Sequence, residues 1–276
     1  MGKFDGILLC SDLDGTLLKN DKSISQENID AIEYFKKEGG RFTFVTGRIP
    51  SCVLDICKIV QPNAPIGCIN GGGLYDYSTM DYVWKQELPQ EVMLLVEYID
   101  ENLPHVGIQV DTFEKIYFSK DNSAMQSFRV LTKAPNIIRH YKDVKEPISK
   151  IIFASMEKED IVSVKEMLAA HPLSEKFDFV HSERTLYEIL PKGIGKGVSV
   201  SKLVQLYDID VNKTIAIGDY YNDISMFNTA KIGIAVSNAY KDVQDTADYV
   251  TVSNEEHAVA RVIHDLENGR FPIQIN

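Results

Sequence analysis

Four aspartates stand in two short clusters, Asp12-Leu13-Asp14-Gly15-Thr16 and Gly218-Asp219-Tyr220-Tyr221-Asn222-Asp223, and each cluster directly follows an apolar run. Carboxylates gathered in this way repel one another strongly where the dielectric is low, so something cationic must hold them together. A lysine and a metal ion are the available choices. Hard oxygen donors with no His or Cys beside them favour Mg²⁺ over zinc or copper. A helix–loop–helix calcium site is excluded by spacing: counting from Asp12 as position one, the glycine comes fourth instead of sixth, and Ser23 occupies position twelve, where a bidentate Glu is needed. Helix capping alone does not require a second Asp in each loop.

The elements that must position these residues are short runs rich in β-branched residues, bounded by turns and separated by helical patterns. Such runs read as parallel strands with crossover helices, and in such sheets ligands bind beyond the carboxyl ends of the strands. Besides the two acidic runs, residues 41–45 stop at Thr46-Gly47-Arg48, residues 65–69 at Asn70-Gly71-Gly72-Gly73, and residues 232–236 at Ser237-Asn238, so five strand ends are expected on one rim. Ser25 or Ser23 opens a helix with Ile29, Ile32 and Phe35 on one face, closed by Gly39-Gly40. A second helix follows Lys196, with Val200, Leu203, Val204 and Tyr207 at helical spacing, and feeds the strand that ends at Asp219. This is a Rossmann-like, doubly wound α/β core.

From about 84 to 185 the texture changes. Pro89 starts a helix with Val92, Leu95, Val96 and Ile99 inward, and strand-like stretches follow at 106–110 and 115–118. A helix at 123–131, a strand at 150–154, a helix at 160–170 and a strand at 177–180 complete the segment, and no apolar run in it ends in an acidic turn. The expected division is a catalytic core of residues 1–83 and 186–276 with an α/β domain of residues 84–185 inserted into it.

Composition narrows the function classes. The chain has 276 residues, 44% of them hydrophobic, enough to fill a core, and a formal net charge of −11. That charge argues against a nucleic-acid or anionic-membrane partner, for which a basic patch is the footprint, and leaves small-molecule work. Nothing reaches membrane-span length, and no signal peptide is expected, because the apolar run after Met1-Gly2-Lys3-Phe4-Asp5 is cut short by Asp12. The four cysteines, Cys10, Cys52, Cys57 and Cys68, form no Cys-x-x-Cys, which fits a reducing cytoplasm. The six histidines show no metal-ligand spacing, and the Tyr34-Phe35 and Tyr220-Tyr221 pairs read as packing or rim residues. Gly71-Gly72-Gly73 lacks the spacing of a dinucleotide fingerprint.

Asp12-Leu13-Asp14-Gly15-Thr16-Leu17 resembles the first signature of the haloacid dehalogenase superfamily phosphatases. The other signatures follow in the family's order: Val45-Thr46-Gly47-Arg48, then Lys196 within Gly193-Ile194-Gly195-Lys196-Gly197, then Gly218 to Asp223. The long interval between Thr46 and Lys196 is similar to the Cof-type members, which carry a large α/β cap there. Asn70-Gly71-Gly72, Ala235-Val236-Ser237-Asn238-Ala239 and Ala247-Asp248-Tyr249-Val250-Thr251 match that group as well, so the resemblance spans the chain. One departure stands near the end, where Glu256-His257-Ala258-Val259 replaces the usual Asp-Gly pair.

The resemblance implies a Mg²⁺-dependent phosphatase of small phosphorylated metabolites, sugar phosphates above all, working through an aspartyl-phosphate. Asp12 is then the nucleophile and Asp14 the general acid and base. The metal is held by Asp12, the backbone carbonyl of Asp14, and Asp219, while Asp223 orients a metal-bound water or Lys196 from one layer out. Thr46 and the backbone amides of Leu13, Asp14 and Gly47 hold phosphoryl oxygens, Lys196 compensates charge, and Arg48, Asn70, Gly71 and Asn222 lie on the substrate side. The inserted domain is expected to act as a lid that supplies selectivity. A phosphomutase would use the same nucleophile and acid–base pair, and a metabolite-binding protein on a decayed fold is the non-enzymatic alternative. Oligomeric state is not legible.

Overall fold

The computed structural model describes residues 2–132 and 134–276. Along the chain come β1 (Leu8–Ser11), α1 (Gln26–Lys37), β2 (Arg41–Phe44), α2 (Leu54–Val60), β3 (Ile66–Cys68), β4 (Gly73–Asp76) and β5 (Asp81–Lys85). They are followed by α3 (Val92–Asn102), β6 (Gly107–Thr112), β7 (Ile116–Lys120), α4 (Ser123–Thr132), β8 (Ile148–Ala154), α5 (Lys158–Ala170), β9 (Phe177–Glu183) and β10 (Leu186–Pro191). The last stretch holds α6 (Lys196–Tyr207), β11 (Thr214–Gly218), α7 (Ile224–Thr229), β12 (Ile232–Ala235), α8 (Lys241–Gln244), β13 (Tyr249–Val250) and α9 (Ala258–Glu267). The chain divides into two compact units: the first runs to Gly47 and takes in Leu54–Trp84 and Gly195–Asn276, and the second comprises Arg48–Val53 and Lys85–Ile194.

The first unit is built on a parallel five-stranded sheet in the order β13-β12-β11-β1-β2. Ser11 pairs with both Ile217 and Phe44, which brings the carboxyl ends of β11, β1 and β2 level. All four residues of β1 are buried, as strands covered on both faces must be. Ser25 caps α1 by accepting the Asn28 N–H at 3.3 Å, and Ile32 and Phe35 turn inward. Asn28, also buried, accepts the Ala260 N–H at 2.9 Å and so ties α1 to α9.

One expectation about this unit needs correction. Residues 66–68 do not form a full fifth rung of the parallel sheet: β3 touches it through one parallel bridge, Val45 to Gly67, and pairs antiparallel with β4 in a separate sheet of order β3-β4-β5. The fifth parallel strand is β13, only two residues long, which periodicity cannot reveal. At the Glu256-His257 departure, Glu256 closes a capping box with Ser253, and His257 takes the left-handed conformation (φ 64°) that a glycine adopts freely.

The second unit holds an antiparallel sheet in the order β7-β6-β8-β10-β9. β10 pairs with β8 and β9 along its length, so residues 186–191 belong with this unit, and the break expected at 185/186 falls at Ile194/Gly195. One face of the sheet, with Ile108, Val110, Ile151, Phe153 and Ile189, joins the α3 and α5 residues Val92, Leu95, Val96, Ile99, Ile161, Val164 and Leu168 in one apolar core. The register sets Gln109, Asp111, Lys150 and Glu188 on the opposite face, all of them buried.

All four cysteines are free thiols. Among the described residues, no helix is long and apolar enough to cross a membrane.

Candidate active site

The two acidic loops leave adjacent strands. β1 runs into Asp12, whose N–H donates to the Ile217 carbonyl of β11 at 2.8 Å, and β11 runs into Asp219. Their closeness is geometric necessity once β1 and β11 pair in register. Gly15 serves the same approach: with φ +81°, any Cβ there would lie 2.5 Å from an Asp219 carboxylate oxygen.

Lys196 opens α6 with its side chain 1% exposed. Its Nζ lies 2.5 Å from Asp12 Oδ1 and 2.6 Å from Asp223 Oδ1. Asp223, wholly buried, uses its second oxygen to accept the N–H groups of Asp219 (2.9 Å) and Tyr220 (3.0 Å), which fixes the loop carrying Asp219. Asp219 accepts from Thr16 Oγ1 at 3.2 Å and, among the described residues, has no ion-pair partner. Asp14 stands further out, with one oxygen 2.8 Å from Lys22 Nζ.

Charge in this cluster does not balance. Burial, reinforced by the charges of Asp223 and Asp14 and opposed by Lys196, pushes the Asp12 carboxyl up to about 7. Burial, with Asp12 and Asp223 adding to it, holds Asp219 well above the ordinary aspartate value. Burial alone would lower the Lys196 ammonium, yet Asp12 and Asp223 together keep it above the usual lysine range. One ammonium is therefore too little for three carboxylates, and protons or a further cation must make up the difference. Asp12, Asp219 and Asp223 each offer a carboxylate oxygen within 4.8 Å of the others, a set of hard donors that fits a divalent cation.

The Thr46 and Asn70 turns close the other side of the rim. Thr46 is buried, its N–H donates to the Gly67 carbonyl at 2.9 Å, and its own carbonyl accepts the Asn70 N–H at 3.0 Å. Asn70 (φ 51°) and the β-branched Ile69 (φ 56°) both sit in the left-handed region, an expensive conformation that surrounding structure must impose. Asn222 Nδ2 donates to Asn70 Oδ1 at 3.0 Å, so the Asn70 turn and the fourth signature meet directly. Gly71 (φ +94°) lets this turn approach α6, since a Cβ there would fall 2.0 Å from the Gly195 carbonyl oxygen.

Of the residues expected from sequence, Asp12, Leu13, Asp14, Thr46, Gly47, Asn70, Gly71, Lys196, Asp219, Asn222 and Asp223 all lie in the first unit, and Arg48 falls in the second. The sequence reading assigned no role to Thr16, although it stands within a quoted signature, nor to Lys22, which no spacing rule marks.

A family profile described as haloacid dehalogenase-like hydrolase matches residues 9–263. The chain belongs to that family. The phosphatase YwtE of Bacillus subtilis, named for 5-amino-6-(5-phospho-D-ribitylamino)uracil, is 30% identical over 94% of this chain and 98% of its own length. YxeH of the same organism, a "putative phosphatase" by name, is 29% identical over 94% and 97%. A haloacid dehalogenase-like hydrolase of Bacteroides thetaiotaomicron superposes with a TM-score of 0.81 at 27% identity, covering 94% of this chain and 99% of that one. The chain is thus a phosphoric monoester hydrolase of the Cof-type group.

Removing the central cation isolates its contribution. Lys196→Met should leave two buried carboxylates without their partner, at a cost of about 3 kcal/mol or more. Urea unfolding at pH 7 followed by circular dichroism should show the midpoint fall accordingly; an unchanged midpoint would mean the ion pairs are not formed in solution.

Proposed function

We propose that the enzyme hydrolyses phosphate esters of small polyhydroxylated metabolites, sugar phosphates or close kin, with Mg²⁺ held by Asp12, the backbone carbonyl of Asp14 and Asp219, and with Asp223 one layer out. The observation that carries this reading is the buried Lys196 ammonium clamped between Asp12 and Asp223 at the end of parallel strands. Asp12 is the nucleophile: one of its carboxylate oxygens bonds to phosphorus as the bond from phosphorus to the leaving oxygen breaks, and Asp14 gives that oxygen a proton. Asp14 then takes a proton from water, which attacks the aspartyl-phosphate and frees phosphate. Bound Mg²⁺ would supply positive charge against the phosphoryl oxygens and the ionised Asp12. The Thr46 hydroxyl, the amides of Leu13, Asp14 and Gly47, and Lys196 orient the phosphoryl group, with Asn222 and Asn70 at its edge.

Selectivity is assigned to the second unit. Its polar sheet face gathers Lys150 Nζ at 2.9 Å from Glu188 Oε2 and 3.8 Å from Asp111 Oδ2, with Gln109 Nε2 donating to Asp111 Oδ1 at 2.7 Å. Burial raises the Asp111 carboxyl to about 6, and Gln109 Oε1 has no hydrogen-bond partner. Two acids facing one ammonium, beside an unsatisfied amide oxygen, favour a ligand rich in hydroxyl donors. The phosphoribityl group in the name of the YwtE relative is of that class.

Asp12→Asn should abolish release of free phosphate from sugar phosphates, by ~10⁴-fold or more, with the fold intact by circular dichroism. Appreciable remaining turnover would rule out the covalent route, and an isomerised ester in place of free phosphate from the unaltered enzyme would mark it as a mutase.

Chelation should stop turnover, and Mg²⁺ should restore it. The same metal should stabilise the fold in a pH-dependent way. The Asp12 carboxyl lies near 7 when folded and near 3.8 unfolded, so without metal its contribution to stability is full below about pH 4 and is lost as pH rises through about 7. Because Mg²⁺ competes with that proton, the rise in Tm on adding Mg²⁺ should grow between about pH 5 and 8. A rise that is flat with pH would place the metal elsewhere.

For the second unit, Gln109→Ala and Glu188→Gln should shift kcat/KM ratios among sugar phosphates by ~10-fold or more while leaving 4-nitrophenyl phosphate within ~2-fold. Equal slowing of every ester would remove the polar face from substrate selection.

A further inference from the structure

The loop after the first aspartate pair carries a lysine that none of the four signatures includes. Lys22 Nζ lies 2.8 Å from Asp14 Oδ1, the two side chains being 30% and 26% exposed. Two separate features deliver it there. The backbone of Lys22 is left-handed (φ 67°), an uncommon state for a residue with a Cβ, and is held by its N–H to the Lys19 carbonyl (2.9 Å) and by the Lys19 N–H to the Ser23 carbonyl (2.9 Å). Asp21 completes the turn by accepting from the N–H and Oγ of Ser23 at 2.9 and 2.6 Å. The loop is also tied to the turn that precedes α9. Asn254 Nδ2 donates to the Leu18 carbonyl at 3.0 Å and to Asn20 Oδ1 at 3.2 Å, and Glu255 Oε1 accepts the Asn20 N–H at 2.7 Å.

The ion pair by itself does not repay the backbone conformation that delivers it. A partly exposed ion pair is worth ~0–1 kcal/mol, while a left-handed residue bearing a Cβ costs about 1–2 kcal/mol. Strain of this kind persists where the surroundings over-determine it, and it concentrates beside reacting groups. A carboxyl group rotates broadly about its last torsion unless a partner fixes it, and a misplacement of ~1 Å in a proton donor can cost ~10²-fold in rate.

We propose that Lys22 is a positioning residue that sets the Asp14 carboxyl in the orientation from which the leaving oxygen receives its proton. The assignment rests on the acid–base role of Asp14. Lys22 itself neither gives nor takes a proton: the bond to phosphorus forms from Asp12, the bond to the leaving oxygen breaks, and the proton on that oxygen comes from Asp14. The contribution of Lys22 is therefore felt only when the leaving group needs that proton.

The test is the rate of alcohol release in a single turnover, measured with a primary alkyl phosphate and with 4-nitrophenyl phosphate, whose leaving group departs without a proton. Lys22→Met should slow the alkyl ester ~10- to 100-fold and the nitrophenyl ester by less than ~3-fold, and Lys22→Arg should recover most of the alkyl rate. A merely structural role would slow both esters alike. That result, an unchanged alkyl rate, or an Arg variant as slow as the Met variant would each overturn the assignment. Asp14→Asn, measured alongside, separates the two layers of the argument. If it leaves the alkyl-to-nitrophenyl ratio unchanged, the acid–base role falls and the Lys22 assignment with it. If it collapses the ratio and Lys22→Met does not, the Lys22 assignment falls alone.

Discussion

The ammonium of Lys196 is the interaction on which the rest of the first unit depends. It pairs with Asp12 at the end of β1 and with Asp223, which holds the Asp219 loop, and so joins two loops that electrostatics alone would drive apart. A buried ion pair costs desolvation that its attraction repays only when the remaining lone pairs are satisfied. Asp223 meets that condition through the N–H groups of Asp219 and Tyr220. What the lysine leaves over at Asp12 and Asp219 must be balanced by protons or a further cation, and under the proposed function a divalent cation there would also let the site hold a phosphate dianion beside the Asp12 carboxylate.

Around this pair the backbone is bent to fit. Ile69 and Asn70 are left-handed in succession, and Gly71 passes within reach of the Gly195 carbonyl, so the Asn70 amide meets Asn222 and the Thr46 turn is locked from both sides. Left-handed residues bearing a Cβ occur in the unit at Ile69-Asn70, Lys22, His257, Gln61, Met80 and Asp208, and three of these places bear on the site: 69–70, Lys22 and His257. The first two border carboxylates or their partners, which is where preorganisation has the most effect on rate. The third lies at the turn that anchors the loop of Lys22, through Asn254 and Glu255.

Much of this was legible in the residues alone. Strand-end acids, the helix capped by Ser25 and the helix after Lys196 could be read because period, cap and turn chemistry agree in each. Other features could not. β13 is two residues long, β3 changes partners after one bridge, and β10 follows β9 so closely that its sequence carries no sign of which unit it joins; strand pairing decides each of these. Lys22 was invisible for a related reason: an isolated lysine in a polar turn has the composition of any solvated loop, and only the positive φ and the 2.8 Å contact set it apart. The polar face of Gln109, Asp111, Lys150 and Glu188 was hidden because alternation along one strand shows which residues share a face but not that charges from three strands converge.

The short piece Arg48–Val53 has an architectural consequence. It follows the Thr46-Gly47 turn in the chain and yet packs with the second unit, as do Lys85–Ile194. The polypeptide therefore passes between units four times, at 47/48, 53/54, 84/85 and 194/195. The second unit is accordingly not a cassette that one pair of cuts could remove or transplant. Exchange of this region between relatives, by recombination or by design, has to carry six residues from beside Thr46 along with it, so the turn proposed to hold phosphate and the unit proposed to set selectivity are inherited together.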